Sequence, residues 1–218
     1  MADDARLTIA LVVFDTGPLI TLAAADSLDY LNLLNAPVLI PDAVFYEATA
    51  KHGALGAQDI TAWVQENSDT VRLIPTAVFG LAQSLRANVT LTEQERRGIT
   101  RNLGERAALE VIGTQLDRSE LGNRGLLVLE DNNAARAARL EPEVIPVTTM
   151  DFLKTLEAEG RINSADAVLE RAENAGRYIA RQELLQADHE RGMAALRQVM
   201  KVLPPSEPAR EPGETPWP

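Results

Sequence analysis

The sequence predicts a three-layer α/β fold, a central parallel sheet flanked by helices, with a helical extension at its C-terminal end. Three observations carry that prediction. Short apolar runs alternate with helical patterns along most of the chain, the first of these runs end at Asp or Pro, and 45% of the 218 residues are hydrophobic, enough to build a core.

Leu11-Val12-Val13-Phe14 is apolar and partly β-branched, and Asp15-Thr16-Gly17-Pro18 stops it. This reads as a buried strand ending in a turn, with Pro18 opening a helix because its fixed φ suits the first helical turn. A helical patch follows over 19–34. Pro37-Val38-Leu39-Ile40 is a second strand, and Pro41-Asp42 opens a helix through about residue 50. A helix at 57–66 leads to a third strand at 70–74, which Pro75 ends before another helix. The stretch 92–117 is helical, interrupted near Asn102-Leu103-Gly104. A fourth strand at 125–129, a helix at 132–140, a short strand at 144–147 and a helix at 151–158 complete the alternation. The chain shows no internal repeat.

Beyond Gly160 the character changes. A helix is expected over 164–176 and a longer, charge-rich one over 178–202. Residues 203–218 hold six prolines and one large aromatic residue, Trp217, the composition of a disordered tail. The expected division is therefore a main domain at 1–176, a helical extension at 177–202 and the tail at 203–218.

Composition removes several classes of function. There are no cysteines, so disulfide scaffolds, thiolate zinc sites and cysteine nucleophiles are excluded. The N-terminus is acidic, the apolar stretch before Asp15 is short, and no run approaches the length of a membrane span, so a soluble, cytoplasmic protein is expected. The net charge of −11 argues against gripping nucleic acid by a basic surface alone. Residues 161–218 carry 8 Lys+Arg against 9 Asp+Glu, which leaves residues 1–160 with 13 against 23. The acidity belongs to the main domain, where cation-binding groups would be sought.

Asp15 and Asp131 each follow a predicted strand, and ligands of parallel sheets gather at the carboxyl ends of strands. Either could instead cap the helix that follows it. Glu105 shares its helical face with Ala108, Leu109 and Ile112, so it points toward the buried side, where an unpaired carboxylate is costly and a cation would compensate. A first-turn glutamate also gains from the helix dipole. Glu47 shares its face with Ala43, Val44 and Ala48, while Glu110 shares one with Arg106 and Thr114 and reads as solvated. Thr16 could donate its hydroxyl to a carboxylate or a phosphate, or be a plain turn residue. Asn132 and Asn133 could hold metal-bound water, or start a helix for local reasons. Arg96, Arg97, Arg101 and Arg106 form one basic group, and Arg136 and Arg139 follow Asp131; each group reads as a rim guiding substrate phosphates or a solvated face. His52 and His189 are far apart and show no partner, and no Gly-rich phosphate loop is present.

Taken in order, the segments Val13-Phe14-Asp15-Thr16-Gly17-Pro18-Leu19-Ile20, Ile40-Pro41-Asp42-Ala43-Val44-Phe45-Tyr46-Glu47, Gly104-Glu105-Arg106-Ala107-Ala108-Leu109 and Val128-Leu129-Glu130-Asp131-Asn132-Asn133 resemble the PIN-domain family. Within it they resemble the VapC-like toxins of type II toxin–antitoxin systems, and the likeness runs over about 11–176. The resemblance implies a PIN-like nuclease domain with an acidic Mg²⁺ or Mn²⁺ site that hydrolyses RNA and leaves 5′-phosphate and 3′-hydroxyl ends. It implies Asp15, Glu105 and Asp131 as metal ligands and Glu47 as a ligand or a water-orienting base. Thr16, Asn132, Asn133 and Arg136 would support the ligands or bind substrate. The implied partners are RNA, a protein antitoxin and a second copy of the chain. One departure stands: where the family often shows two consecutive aspartates, or Thr before the aspartate, this chain reads Glu130-Asp131-Asn132, so Glu130 could replace Asp131 as ligand. A housekeeping RNA or DNA nuclease of the same fold, and a catalytically inactive PIN module acting as a binding or regulatory protein, are the alternatives.

Overall fold

A computed structural model describes residues 8–51, 53–87, 91–116, 123–130, 135, 138, 140–179 and 186–200. The chain forms β1 (Thr8–Phe14), α1 (Thr16–Ala24), a 3₁₀ helix (Leu28–Leu33), β2 (Val38–Pro41), α2 (Asp42–Thr49), α3 (Ala57–Glu66), β3 (Val71–Ile74) and α4 (Ala77–Arg86). It continues with α5 (Glu93–Thr100), α6 (Leu103–Gln115), β4 (Asn123–Leu129), β5 (Val144–Thr148), α7 (Thr149–Ala158), α8 (Ala165–Asn174) and α9 (Gln186–Val199). Of the helix expected at 132–140, Asn132, Asn133 and most other positions lie outside the described residues.

The five strands make one parallel sheet in the order β3-β2-β1-β4-β5. The chain winds outward from β1 to β3, then returns to place β4 against the free side of β1, with Val13 opposite Leu127. This reversal of winding direction at β1 and β4 opens a crevice at the carboxyl ends of the two strands, because their following connections leave to opposite sides.

Strand periodicity divides the core into two layers. Val12, Phe14, Val38, Ile40, Leu126, Val128, Ile145 and Val147 face one layer, which contains α1, α3, α7, α8 and α9. Leu11, Val13, Leu39, Leu127 and Leu129 face the other, against Ala108, Val111 and Ile112 of α6. Gly125 of β4 makes that second contact close, since a Cβ there would stand 2.8 Å from Ile112 Cγ2. A smaller cluster, Ala43, Ala82, Leu103 and Ala107, locks α2, α4 and α6 together on the rim of the crevice.

Two expected helices differ from the structure. The patch at 19–34 is not one helix: α1 ends at Ala24, Asp26 takes φ 52°, and a 3₁₀ helix follows. The helix expected from Tyr178 is absent at 178–179, and α9 spans Gln186–Val199. It folds back onto the sheet: Ala195 and Leu196 are fully buried, Met200 bridges Leu34, and His189 Nδ1 stands 2.6 Å from Asp151 Oδ1 on α7. His189 therefore has a partner that the sequence does not reveal, and His52 lies outside the described residues. Among the described residues no helix is long and apolar enough to cross a membrane.

Candidate active site

The crevice is built first by β1. Phe14 is fully buried, and the Asp15 N–H continues the ladder by donating to the Val128 carbonyl at 2.9 Å. Asp15 is thereby fixed at the strand's carboxyl end in extended backbone (φ −81°, ψ 171°), immediately before α1. Its carboxylate makes no capping bond to that helix, so helix capping does not account for it. Thr16, the next residue, donates its Oγ1–H to Glu47 Oε2 at 3.0 Å.

Glu47 comes from α2, which the buried Ala43, Val44 and Ala48 hold against the core. The third contributor is α6. Asn102 adopts the left-handed region (φ 53°), which asparagine tolerates, and turns the chain into this helix at the crevice. Gly104 then comes so close to the acids that its missing side chain is the centre of the site. A Cβ at position 104 would lie 2.9 Å from Glu47 Oε2, 3.2 Å from Asp15 Oδ1 and 3.4 Å from Thr16 Oγ1. A residue with a side chain here would press on the Glu47 carboxylate. Glu105, half-buried, lines the same cleft of about 150 Å³ with Asp15, Thr16, Glu47, Asn102, Leu103 and Gly104.

Glu47 as a whole residue is exposed, yet its carboxylate is not in bulk water. Burial pushes its pKa above the ordinary value of 4.5, against the opposing effects of the Thr16 hydroxyl, the Gly104 N–H and the charge of Arg86. The start of α6 faces the same acids, and its N-terminal dipole favours negative charge there. All the donor atoms offered by Asp15, Glu47 and Glu105 are hard oxygens, which suit a divalent cation that keeps several waters. Among the described residues no three such side chains already stand as a ready metal-holding set. Asp15, Glu47 and Glu105 line this one cleft, and their oxygen chemistry suits such an ion.

Asp131, Asn132, Asn133 and Arg136 lie outside the described residues. Glu130, the possible substitute for Asp131, is described, and its carboxylate lies beside Gly17, where a Cβ would stand 3.0 Å from Glu130 Oε2. Arg177 Nη2 donates to its Oε2 at 2.9 Å and Thr149 Oγ1 to its Oε1 at 2.7 Å. Arg177 also donates to Thr21 Oγ1 at 3.1 Å, so it straps the end of α8 across α1 to β4.

Other polar residues depart from their sequence reading. Glu110 is not simply solvated: it accepts the Ala77 and Val78 N–H groups at 2.6 and 3.0 Å and caps α4. In the first arginine group, Arg97 pairs with Glu93 at 3.2 Å on an exposed face, and Arg101 and Arg106 are exposed. The cation that acts on Glu47 is Arg86, at the end of α4, which sequence reasoning did not single out. A hydrophobic helix ending in one arginine gives no local signal of that role.

A protein-family model described as a PIN domain matches residues 11–119, a span that contains Asp15, Thr16, Glu47, Gly104 and Glu105. No curated protein matches the chain.

Proposed function

The chain belongs to the PIN-domain family, and on that premise we propose that it is a divalent-metal-dependent endoribonuclease, the toxin of a toxin–antitoxin pair. PIN domains are generally nucleases and generally depend on divalent metals. One observation supports placing the chemistry in this cleft. Asp15 and Thr16 from the end of β1 and Glu47 from α2, 31 residues beyond Thr16, meet around a single glycine at the sheet's switch point.

In this reading Asp15 and Glu105, with Asp131, hold Mg²⁺ or Mn²⁺. When bound, such an ion polarises a phosphodiester and makes hydroxide available near neutral pH. Glu47 serves as a further ligand or orients the attacking water, its carboxylate held in place by the Thr16 hydroxyl and the Gly104 N–H. Thr16 also stands where a phosphate oxygen could take its hydroxyl in exchange for Glu47. Arg86 supplies positive charge at the rim of an otherwise acidic cleft. Asn132, Asn133 and Arg136 complete the proposed support for ligands and RNA. The toxin role, a protein antitoxin filling the groove, a homodimer and a cytoplasmic setting rest on the resemblance to VapC-like toxins.

Labelled RNA is incubated with the wild type and with Asp15→Asn in Mg²⁺, Mn²⁺ or EDTA. Cleavage is expected only for the wild type with metal, and cleavage that survives both chelation and the substitution removes this mechanism. Growth arrest on induction, abolished by Asp15→Asn, is expected for a toxin and is absent for a housekeeping nuclease.

A further inference from the structure

At the end of α8 the chain makes a tight turn that delivers one arginine to the sheet's switch point. Gly176 takes φ 94°, the left-handed region that glycine enters freely. Its N–H donates to the Glu173 carbonyl at 2.9 Å, and the Arg177 N–H to the Ala172 carbonyl at 3.0 Å. These two bonds close the helix in the manner that a glycine just past a C-terminus permits. Ala172 is fully buried and holds the turn against the core, so the Arg177 side chain is aimed across α1. Its guanidinium serves three acceptors. Nε donates to Thr21 Oγ1 at 3.1 Å, and Nη2 to Glu130 Oε2 at 2.9 Å and to the Gly17 carbonyl at 3.4 Å. Thr149 Oγ1, at the start of α7, donates to the other oxygen of the Glu130 carboxylate at 2.7 Å. The paired side chains are only 24% and 11% exposed, which sets them apart from a solvent-screened surface ion pair.

We infer that Arg177 is a positioning residue of the proposed metal site: by clamping Glu130 to the first turn of α1, it fixes where Asp15 and Thr16 stand against β4. This rests on the metal-dependent reading of the cleft and adds what holds that cleft in shape. The Asp15 N–H donates to the Val128 carbonyl, which joins the ends of β1 and β4 through the ladder. Arg177 closes the same junction from the side of α1. Gly17, two residues after Asp15, rests directly on Glu130: a Cβ there would stand 3.0 Å from both Glu130 Cβ and Oε2. A shift of that side chain is therefore felt at once by the turn that carries Thr16, the residue bonded to Glu47. A planar guanidinium suits this task, because its fork serves several acceptors in one fixed geometry that an ammonium does not reproduce. Removing it deprives a mostly buried carboxylate of this cation, and the local backbone moves to relieve the cost. Groups one step removed from the ligands of a metal commonly set its affinity in this way. Arg171, on the same helix, is the natural contrast. It donates to the Ala25 carbonyl and to Ser27 Oγ, at the opposite end of α1 from the acids.

The test titrates full-length protein with Mn²⁺ alone and follows the free ion by electron paramagnetic resonance, well below the melting temperature. Asp15→Asn is expected to weaken Mn²⁺ binding severely. Arg177→Ala is expected to weaken it about tenfold. Arg177→Lys, which keeps the charge but not the fork, is also expected to weaken it and keeps the test readable should the alanine variant fail to fold. In a Glu130→Ala background, Arg177→Ala is expected to cost nothing further, because the arginine acts through that carboxylate. Arg171→Ala is expected to lower the melting temperature while Mn²⁺ affinity stays at the wild-type value. The clamp is overturned if folded Arg177 variants bind Mn²⁺ as wild type does, or if Arg177→Ala costs as much without Glu130 as with it. It is equally overturned if Arg171→Ala weakens binding to the same extent, since the effect is then a general loosening of α8. Loss of binding in Asp15→Asn with no change in Arg177→Ala refutes the clamp alone. Unchanged binding in Asp15→Asn refutes the metal site in this cleft, and the clamp falls with it.

Discussion

Glu47 sits at a conflict of environments that can be measured. Its neighbours Thr16, Gly104 and Arg86 favour the ionised form, but burial disfavours it more, and its pKa rises above 4.5. A carboxyl group whose pKa is higher in the folded state binds its proton more tightly there than in the unfolded chain. Stability contributed by that proton is present below pH 4.5 and is lost as pH rises through the folded value. In metal-free protein, Glu47→Gln is therefore expected to raise the melting temperature relative to wild type above this window, with the difference closing at lower pH. A Glu47→Gln protein that melts below wild type at neutral pH, with no narrowing in acid, would contradict the assignment of burial as the dominant effect. In cleavage assays with metal the same substitution is expected to cost about 100-fold if Glu47 orients the water. At this scale Asp15, Thr16, Glu47 and Glu105 could be singled out from the sequence because each combines a polar group with an apolar local frame. Arg86 could not, since an arginine ending one helix acts on an acid of another only when α2 and α4 are neighbours.

Elements were legible where their ends are set by their own residues. The helix at 57–66 has the bounds expected from its apolar stripe, and the interruption at 102–104 coincides with the turn from α5 into α6. Ends set by distant residues were not. The end of α1 is stabilised from α8: Arg171 Nε donates to the Ala25 carbonyl at 3.1 Å and its Nη2 to Ser27 Oγ at 3.1 Å, across separations of 146 and 144 residues. A helix terminus leaves carbonyls without helical partners, and here the fold supplies the donor. The start of α4 follows the same logic with opposite sign. Glu110 accepts two of its N–H groups, and Thr76, bonded to Asp42 at 2.6 Å, accepts from Phe79. Glu110→Ala removes a capping partner and is expected to lower stability by about 1 kcal/mol. Urea denaturation checks this; a variant as stable as wild type would return Glu110 to the role of a solvated surface acid.

For the molecule as a whole, the matched family span of 11–119 ends before the sheet is complete. It holds β2, β3 and most of β1, whereas the crevice requires β4 beside β1, and β5 completes that side. The layer over β5 and β1 is closed by α9, which enters close enough that a Cβ at Gly192 would stand 3.1 Å from Val147 Cγ2. Leu196 is fully buried in that layer with Ile145, Val147 and Phe152. Leu196→Ala is expected to destabilise the protein by about 2–5 kcal/mol through lost burial and a residual cavity. Thermal and denaturant unfolding should show one cooperative transition at reduced stability. A variant that unfolds as wild type does would mean that α9 is an independent appendage.

The sequence by itself determined most of the element types, the parallel sheet and the acids worth watching, because hydrophobic period and strand-end position are local properties. Tertiary structure decided which groups meet. Strand order sets Asp15 beside β4, α6 carries Gly104 into contact with Asp15 and Glu47, and Arg177 reaches Glu130 across α1. Those pairings depend on chain reversals dozens of residues long, and a period of 2 or 3.6 carries no information about which strand will lie next to which.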